Sequence, residues 1–309
     1  MKTLLKTMIS AYEYPLRISG CIKLSIIVTG FILFTSSTHA QTDVSFESGT
    51  VSITQESADT WTPVEFSTSF NERPIVVLGP TSNEGGDPHS LRVRNITNEG
   101  FEVKLHEWDY LDGPHSTVEI SYLAVESGVH TFGDLKVHAF STTGLLNHNW
   151  NEISFSEDFE STPVVLSQIT SYNGTQPATL RTKNVTSTGF TTTIQEEENN
   201  DNEHLEESVD TIAIETGNTT FQNKRIIVGR VDGFNQEWKT VEFGETMSSP
   251  AILAAMQTTN GGDTATLRYD SLNESSFDLM VQEEKSKDDE INHADETIGW
   301  VAIAIQPES

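Results

Sequence analysis

The chain repeats itself three times, and this constrains its fold more than any other feature of its 309 residues. Each copy opens with a tryptophan followed five positions later by a phenylalanine: Trp61 and Phe66, Trp150 and Phe155, Trp238 and Phe243. An apolar residue then precedes a proline (Phe70 and Pro74, Phe159 and Pro163, Met247 and Pro250), and an apolar run follows it. A polar loop leads to Leu91-Arg92, Leu180-Arg181 and Leu267-Arg268, with Phe101, Phe190 and Phe277 nine residues beyond each arginine. Glu107, Glu196 and Glu283 come six residues later, and His115, His204 and His293 each precede an alanine by nine. The tryptophans are spaced by 89 and then 88 residues, so three units of about 88 fill the chain beyond its leader.

Within a unit the signals are those of strands. Phe101-Glu-Val-Lys-Leu105, Ile120-Ser-Tyr-Leu-Ala-Val125 and Phe277-Asp-Leu-Met-Val281 alternate with period two, which sends one set of side chains inward. Asn98-Glu-Gly100 and Ser187-Thr-Gly189 supply turns, and no amphipathic helix is evident. An all-β chain is expected, with three tandem antiparallel β-sandwich modules of about six strands each. The expected organisation is a signal peptide over residues 1–40 and modules over 41–132, 133–224 and 225–309.

The leader carries Lys2, Lys6, Arg17 and Lys23, an apolar run from Leu24 to Phe34, and small residues before Ala40. It reads as a secretory signal cleaved near Ala40, its apolar run being shorter than the roughly 20 residues of a spanning helix. An uncleaved anchor is the alternative. Cleavage would remove Cys21, the chain's one cysteine, and leave a secreted or cell-surface protein with no disulfide, no cysteine-based zinc site and no membrane insertion. With 18 Lys+Arg against 46 Asp+Glu, the net charge of −28 argues against nucleic acid and anionic membranes as partners, and suits solubility in salty surroundings.

The blocks Phe70-Asn-Glu-Arg-Pro-Ile-Val-Val-Leu78, Leu91-Arg-Val-Arg-Asn-Ile-Thr97, Gly100-Phe101, Glu107-Trp108 and Ile120-Ser-Tyr-Leu-Ala-Val-Glu126 resemble the H-type lectin domain of snail agglutinins and discoidin C-terminal domains. The resemblance implies a six-stranded sandwich that binds N-acetylgalactosamine or galactose-like sugars, usually as a trimer with sites near subunit boundaries. It also implies that the arginine after the leucine contacts sugar, which maps to Arg92, Arg181 and Arg268. The family's histidine after an aromatic falls on Asp109, Glu198 and Lys285, a departure from its pattern, and the family's cysteines have no counterpart.

The candidate ligand-binding residues are Arg92, Arg181, Arg268, Trp108, Asp109, Tyr110, His115, His204 and His293. A guanidinium suits vicinal hydroxyls, carboxylates or sulfates, but each arginine has an equally simple role in pairing with its own repeat's Glu107, Glu196 or Glu283. The three histidines sit beside acidic runs that read as solvated edge loops, glycan-contact loops or a calcium site. No spaced calcium loop is present, so no cofactor is expected. Trp61, Trp150 and Trp238 read as core plugs, with stacking on sugar rings as the alternative, whereas Trp108 and Tyr110, found in repeat 1 only, are the better candidates for an exposed aromatic contact. Three degenerate Glu/His pairs do not resemble one asymmetric catalytic cleft, and no nucleophile or phosphate motif is present, so no enzyme is expected.

The expected function is multivalent recognition of glycans or polysaccharides without catalysis. Alternatives are an extracellular structural or adhesion protein with no sugar site, and an accessory protein of a polysaccharide-degrading system. The family's trimers raise a further expectation. Three modules in one chain can form an intramolecular pseudo-trimer, against which stand a string of separate beads and a homo-oligomer.

Overall fold

Every post-proline apolar run becomes a strand buried on both faces, and this settles how the repeats meet. In the computed structural model, which describes residues 44–306, repeat 1 comprises β1 (Phe46–Gln55), β2 (Thr62–Glu65), β3 (Ile75–Ser82), β4 (His89–Arg94), β5 (Gly100–Glu107) and β6 (His115–Val125). Repeat 2 begins with a short strand, β7 (Gly128–Phe132). It continues through β8 (Leu135–Leu146), β9 (Asn151–Ser154), β10 (Val164–Ile169), β11 (Ala178–Lys183), β12 (Gly189–Glu196) and β13 (Glu207–Ile214). Repeat 3 matches it with β14 (Gly217–Phe221), β15 (Lys224–Phe234), β16 (Lys239–Glu242), β17 (Ala251–Met256), β18 (Ala265–Asp270), β19 (Ser276–Glu283) and β20 (Glu296–Ile305). No helix occurs among the described residues, and the chain is all-β. The expected signal peptide and Cys21 lie outside the described residues.

Each repeat is a two-layered antiparallel sandwich. One layer orders its strands β1-β6-β3, β8-β13-β10 or β15-β20-β17, and the other β2-β5-β4, β9-β12-β11 or β16-β19-β18. The hairpins β7–β8 and β14–β15 open repeats 2 and 3, with Gly133 (φ 58°) and Asn223 (φ 59°) in their turns.

The alternation along the post-proline strands feeds two cores at once. Val76 and Leu78 of β3 face the sandwich core of repeat 1, while Ile75 and Val77 enter a second core shared by all three repeats. Likewise Val165 serves repeat 2 and Val164 and Leu166 the shared core; Ile252 and Ala254 serve repeat 3 and Leu253 the shared core. A strand buried on both faces needs a continuous apolar sequence, which explains Ile75-Val-Val-Leu78 where an alternating pattern would leave one face in water. Phe46, Phe132 and Phe221, one from near the start of each repeat, close this core with ring centroids 4.8, 5.0 and 5.6 Å apart. Residues 44–306 consequently belong to one compact unit.

Contact inside this unit also fixes backbone donors. The N–H of Val76, Val165 and Ile252, at equivalent positions, donates to a side chain of another repeat in every case: Asp210 Oδ2 at 2.9 Å, Gln257 Oε1 at 2.9 Å and Ser121 Oγ at 3.1 Å. Buried N–H groups left without a partner would each cost about 1–3 kcal/mol. Ser121 and Asp210 are equivalent residues, and repeat 3 has Gly299 at that place. A Cβ on Gly299 would lie 2.8 Å from the Gln257 amide carbon, so the glycine makes room for the substitute partner.

Asn95, Asn184 and Ser271 occupy one equivalent turn position with φ of 52°, 55° and 53°. Asparagine tolerates this left-handed conformation better than serine. Ser271→Asn should therefore raise stability by about 0.5–1 kcal/mol in chemical denaturation, and an unchanged or lowered midpoint would contradict the turn assignment.

Candidate functional site

The three Leu-Arg arginines stand at the seams between repeats. Arg92 is fully buried and reaches from repeat 1 into repeat 2, where it donates to the carbonyls of Gln176 (3.0 Å), Ser171 (3.1 Å) and Gly174 (3.3 Å) and to Glu207 Oε1 (2.7 Å). Arg181 does the same from repeat 2 into repeat 3, meeting the carbonyls of Asp263 and Gly261 (2.9 Å) and Glu296 Oε1 (3.4 Å). Arg268 closes the ring from repeat 3 into repeat 1, donating to the Gly85 carbonyl (3.0 Å) and contacting the His89 imidazole at 2.7 Å. The arginines thus meet the next repeat. The pairing with Glu107, Glu196 and Glu283 of their own repeats does not form, and these guanidiniums are occupied by protein groups below the surface.

In repeats 2 and 3 the own-repeat glutamate holds the histidine instead. His204 Nδ1 donates to Glu196 Oε1 (2.7 Å) and Nε2 to Glu207 Oε1 (3.3 Å); His293 is placed identically between Glu283 and Glu296. His204, with a carboxylate on each nitrogen, donates from both and carries charge. Burial opposes that charge at His204, but the two carboxylates outweigh it and raise its pKa. Burial would likewise raise Glu207, yet His204, Ser171 and the Asn173 N–H hold its pKa down at about 2. Behind each ring lies a glycine: a Cβ on Gly174 or Gly261 would come 2.6 Å from the histidine, and one on Gly85 2.8 Å from His115.

The third seam is built differently. Val118 stands where repeats 2 and 3 have Glu207 and Glu296, and His89 stands where they have Ala178 and Ala265. Arg268 therefore meets a neutral imidazole where the other arginines meet a carboxylate. Burial, reinforced by Arg268 and His115, keeps His89 well below the usual histidine range. His115 contacts the carbonyls of Asp87 and Ser116, and its ring packs 4.4 Å from that of His89. All three repeated histidines are buried, so the solvated-edge placement does not hold; the acidic runs beside them are what face water.

The aromatics exchange the places expected of them. Trp150 and Trp238 are 42% and 40% exposed, and Trp61 is half-buried, because each precedes the edge strand of its smaller layer instead of lying between layers. Arg94 lies 4.0 Å over the Trp61 ring and Lys183 Nζ 3.6 Å over Trp150. Trp108 is 1% exposed. It replaces Glu197 and Glu284, which accept from the backbone N–H of Asp109 and Glu198 across the first two seams. At the third seam the equivalent N–H, that of Lys285, donates to Tyr110 Oη at 2.9 Å instead. Asp109 remains exposed, and Tyr110 is 41% exposed beyond its hydrogen bond.

Sequence reasoning missed the half-buried cluster at the mouth of the first seam. Trp61 of repeat 1 meets Tyr172 of repeat 2 edge-on at 5.2 Å, and Lys104 Nζ donates to the Ala58 carbonyl (2.8 Å) and to Tyr172 Oη (3.0 Å). Tyr172 has no equivalent in the other repeats, so a search for repeated residues passes over it. A separate group of carboxylates, Asp263, Glu283 and Glu290, brings oxygens within 4.8 Å of one another, although Glu283 also bonds His293. A cavity of about 120 Å³ lies where the repeats converge, lined by Leu91, Leu180 and Leu267 among others.

The family model of the H-type lectin domain matches residues 61–125 and 150–206. The two matched segments fall within repeats 1 and 2, which are similar to the H-type lectin domain. Repeat 3 has the same two layers in the same strand order. Halomucin of Haloquadratum walsbyi (strain DSM 16790 / HBSQ001) is 30% identical over 265 residues, which cover 82% of this chain. The matched region spans about 3% of that protein's length. No solved structure matches the chain.

Two expectations follow from the seams. Arg92→Met and Arg181→Met each take the guanidinium from a buried glutamate, leaving it only its histidine and hydroxyl or backbone donors, and should cost about 3–5 kcal/mol, whereas Arg268→Met strands no carboxylate and should cost about 1–2. Denaturant titration of the three variants checks the ranking, and equal losses would contradict it. The second concerns pH. His204, raised in the fold, stabilises fully below the unfolded value near 6.5 and less as pH rises through its folded value. His89, depressed, permits full stability above about 6.5 and removes it as pH falls below. An imidazole NMR titration should find His204 more than half charged, and His89 more than half neutral, at about pH 6.5.

Proposed function

We propose that this is an exported, multivalent carbohydrate-binding protein that performs no catalysis. The observation that carries the reading is the pairing of two segments similar to the H-type lectin domain with a tryptophan presented at the same strand edge in every repeat. Aromatic faces beside fixed donors suit sugar rings, whose C–H faces are apolar and whose hydroxyls need directional partners. Trp61, Trp150 and Trp238, with Asp109 and Tyr110 beside the loops, replace the arginines and histidines as the groups offered to ligand. The Glu/His pairs that could do acid–base work are enclosed at the seams, out of reach of a polysaccharide. Three presented edges in one compact unit would raise avidity for a repeating glycan without added contacts. The basic leader supports export, and the strong acidic excess supports life in solution at high salt.

The test is retention on a panel of neutral, sulfated and uronate glycans, with calcium and with chelator. The protein should be retained by a defined sugar class, and Trp61→Ala, Trp150→Ala and Trp238→Ala combined should reduce retention at least tenfold while the melting temperature shifts little. Retention by no glycan would favour a structural or adhesion role, and loss with chelator would bring a metal into the reading.

A further inference from the structure

The three seams share one frame but not one chemistry. On the smaller layer, the residue directly opposite the seam arginine is Lys104 in repeat 1, Thr193 in repeat 2 and Met280 in repeat 3. Two residues on are His106, Gln195 and Gln282. Gln195 and Gln282 use their amides to hold the neighbouring loop, donating to the carbonyls of Gly262 (2.8 Å) and Gly86 (3.2 Å). His106 makes no such bond. Its Nδ1 has no partner although the residue is more than nine-tenths buried, and its ring lies 6.0 Å from that of Tyr172. Across the seam the neighbour supplies Tyr172 at the first seam, where Thr259 and Asn83 stand at the others.

Lys104 is the unusual member of this group. Val103 and Leu105 turn into the sandwich core, so the period of two sends Lys104 and His106 to the opposite face, toward repeat 2. Its ammonium is buried, lies 4.8 Å from the Tyr172 ring centroid and 5.4 Å from that of Trp61, and has no carboxylate paired with it among the described residues. Two of its three protons go to Ala58 O and Tyr172 Oη, leaving one unspent. Burial, then the nearby Arg92 and Arg94, push its pKa down to about 8 against the opposing pull of Asp59 and Asp109, neither of which forms an ion pair with it. The fold does not need a lysine here, since two of its three copies are built with threonine and methionine.

We propose that the mouth of the first seam binds an acidic sugar unit, its carboxylate or sulfate placed on Lys104 Nζ and its ring beside Trp61 and Tyr172. This deepens the carbohydrate-binding reading and rests on it. The other two seams lack the cation, so the chain takes one such unit, against up to three for sugars recognised by the shared tryptophan edges.

The experiment is calorimetric titration of the whole protein with trigalacturonate, a sulfated galactose trisaccharide and neutral galactotriose. At least one acidic probe should bind about tenfold or more tightly than galactotriose, with one site per chain, and comparison of the two acidic probes tells carboxylate from sulfate. Lys104→Met, the side chain repeat 3 already carries, should abolish the preference, and Lys104→Arg should keep it. Tyr172→Thr, the residue that Thr259 supplies at the second seam, serves should the methionine variant fail to fold, and should also lose the preference. Equal affinity for acidic and neutral probes, three acidic sites per chain, or an unaltered preference in the variants would overturn the proposal while leaving carbohydrate binding intact. Binding of none of the three, with the glycan panel also silent, would remove both readings.

Discussion

A strand that is apolar on both faces cannot be satisfied by one sandwich. β3, β10 and β17 each give one face to their own repeat and the other to a core that exists only when all three repeats are present. The remaining features of the molecule follow from that sharing. Bringing three sheets together buries backbone N–H groups at the strands' ends, which Asp210, Gln257 and Ser121 then cap. It also buries a guanidinium at every seam, whose terminal nitrogens the loop carbonyls and a carboxylate or imidazole of the next repeat then bond, while its Nε stays without a partner. Polar groups this deep contribute little net stability, but each is expensive to leave unpaired, so they set register and orientation more than they add strength.

Much of this is legible in the residues. The repeat period, the strands, the turn positions and the sandwich class all come from spacing and alternation, because those depend on local backbone geometry. Partners across seams do not. Arg92 and Glu107 sit at compatible spacings in one unit, yet the arginine crosses to Glu207, since a repeated sequence cannot say which copy supplies the partner. The tryptophans mislead for a related reason. Trp61, Trp150 and Trp238 are large and repeated, as core residues are, but they precede an edge strand and so stay partly in water. Trp108 sits in an acidic stretch, which suggests exposure, while its position is the inward one that Glu197 and Glu284 hold elsewhere. The uninterrupted character of Ile75-Val-Val-Leu78 is the available signal for a shared core, and Phe132 and Phe221, spaced by 89, are another.

Packing between strands shows the same economy of one frame with varied contents. Tyr122 lies across from Gly49 and Trp300 across from Gly229, each ring close enough that a Cβ on the glycine would stand 2.7 or 2.5 Å from it. In repeat 2 the order is reversed, with Phe140 on the first strand and Thr211 on the last. Large and small side chains have changed strands while the pair still fills the space between them. Sequence comparison column by column would score these as losses of similarity, although the volume at the site persists.

The unequal caps on the three equivalent N–H groups carry a further meaning. An aspartate, a glutamine and a serine cannot be interchanged without also moving Gly299 and the groups around it. Each junction is therefore addressed to one neighbour, head to tail, and the circular order of the repeats is written in their surfaces as well as in the linkers that join them. Arg73 of repeat 1 also meets Asp210 at 3.1 Å, where repeats 2 and 3 have Thr162 and Ser249, so a ring of three copies of repeat 2 would leave that aspartate buried without its cation.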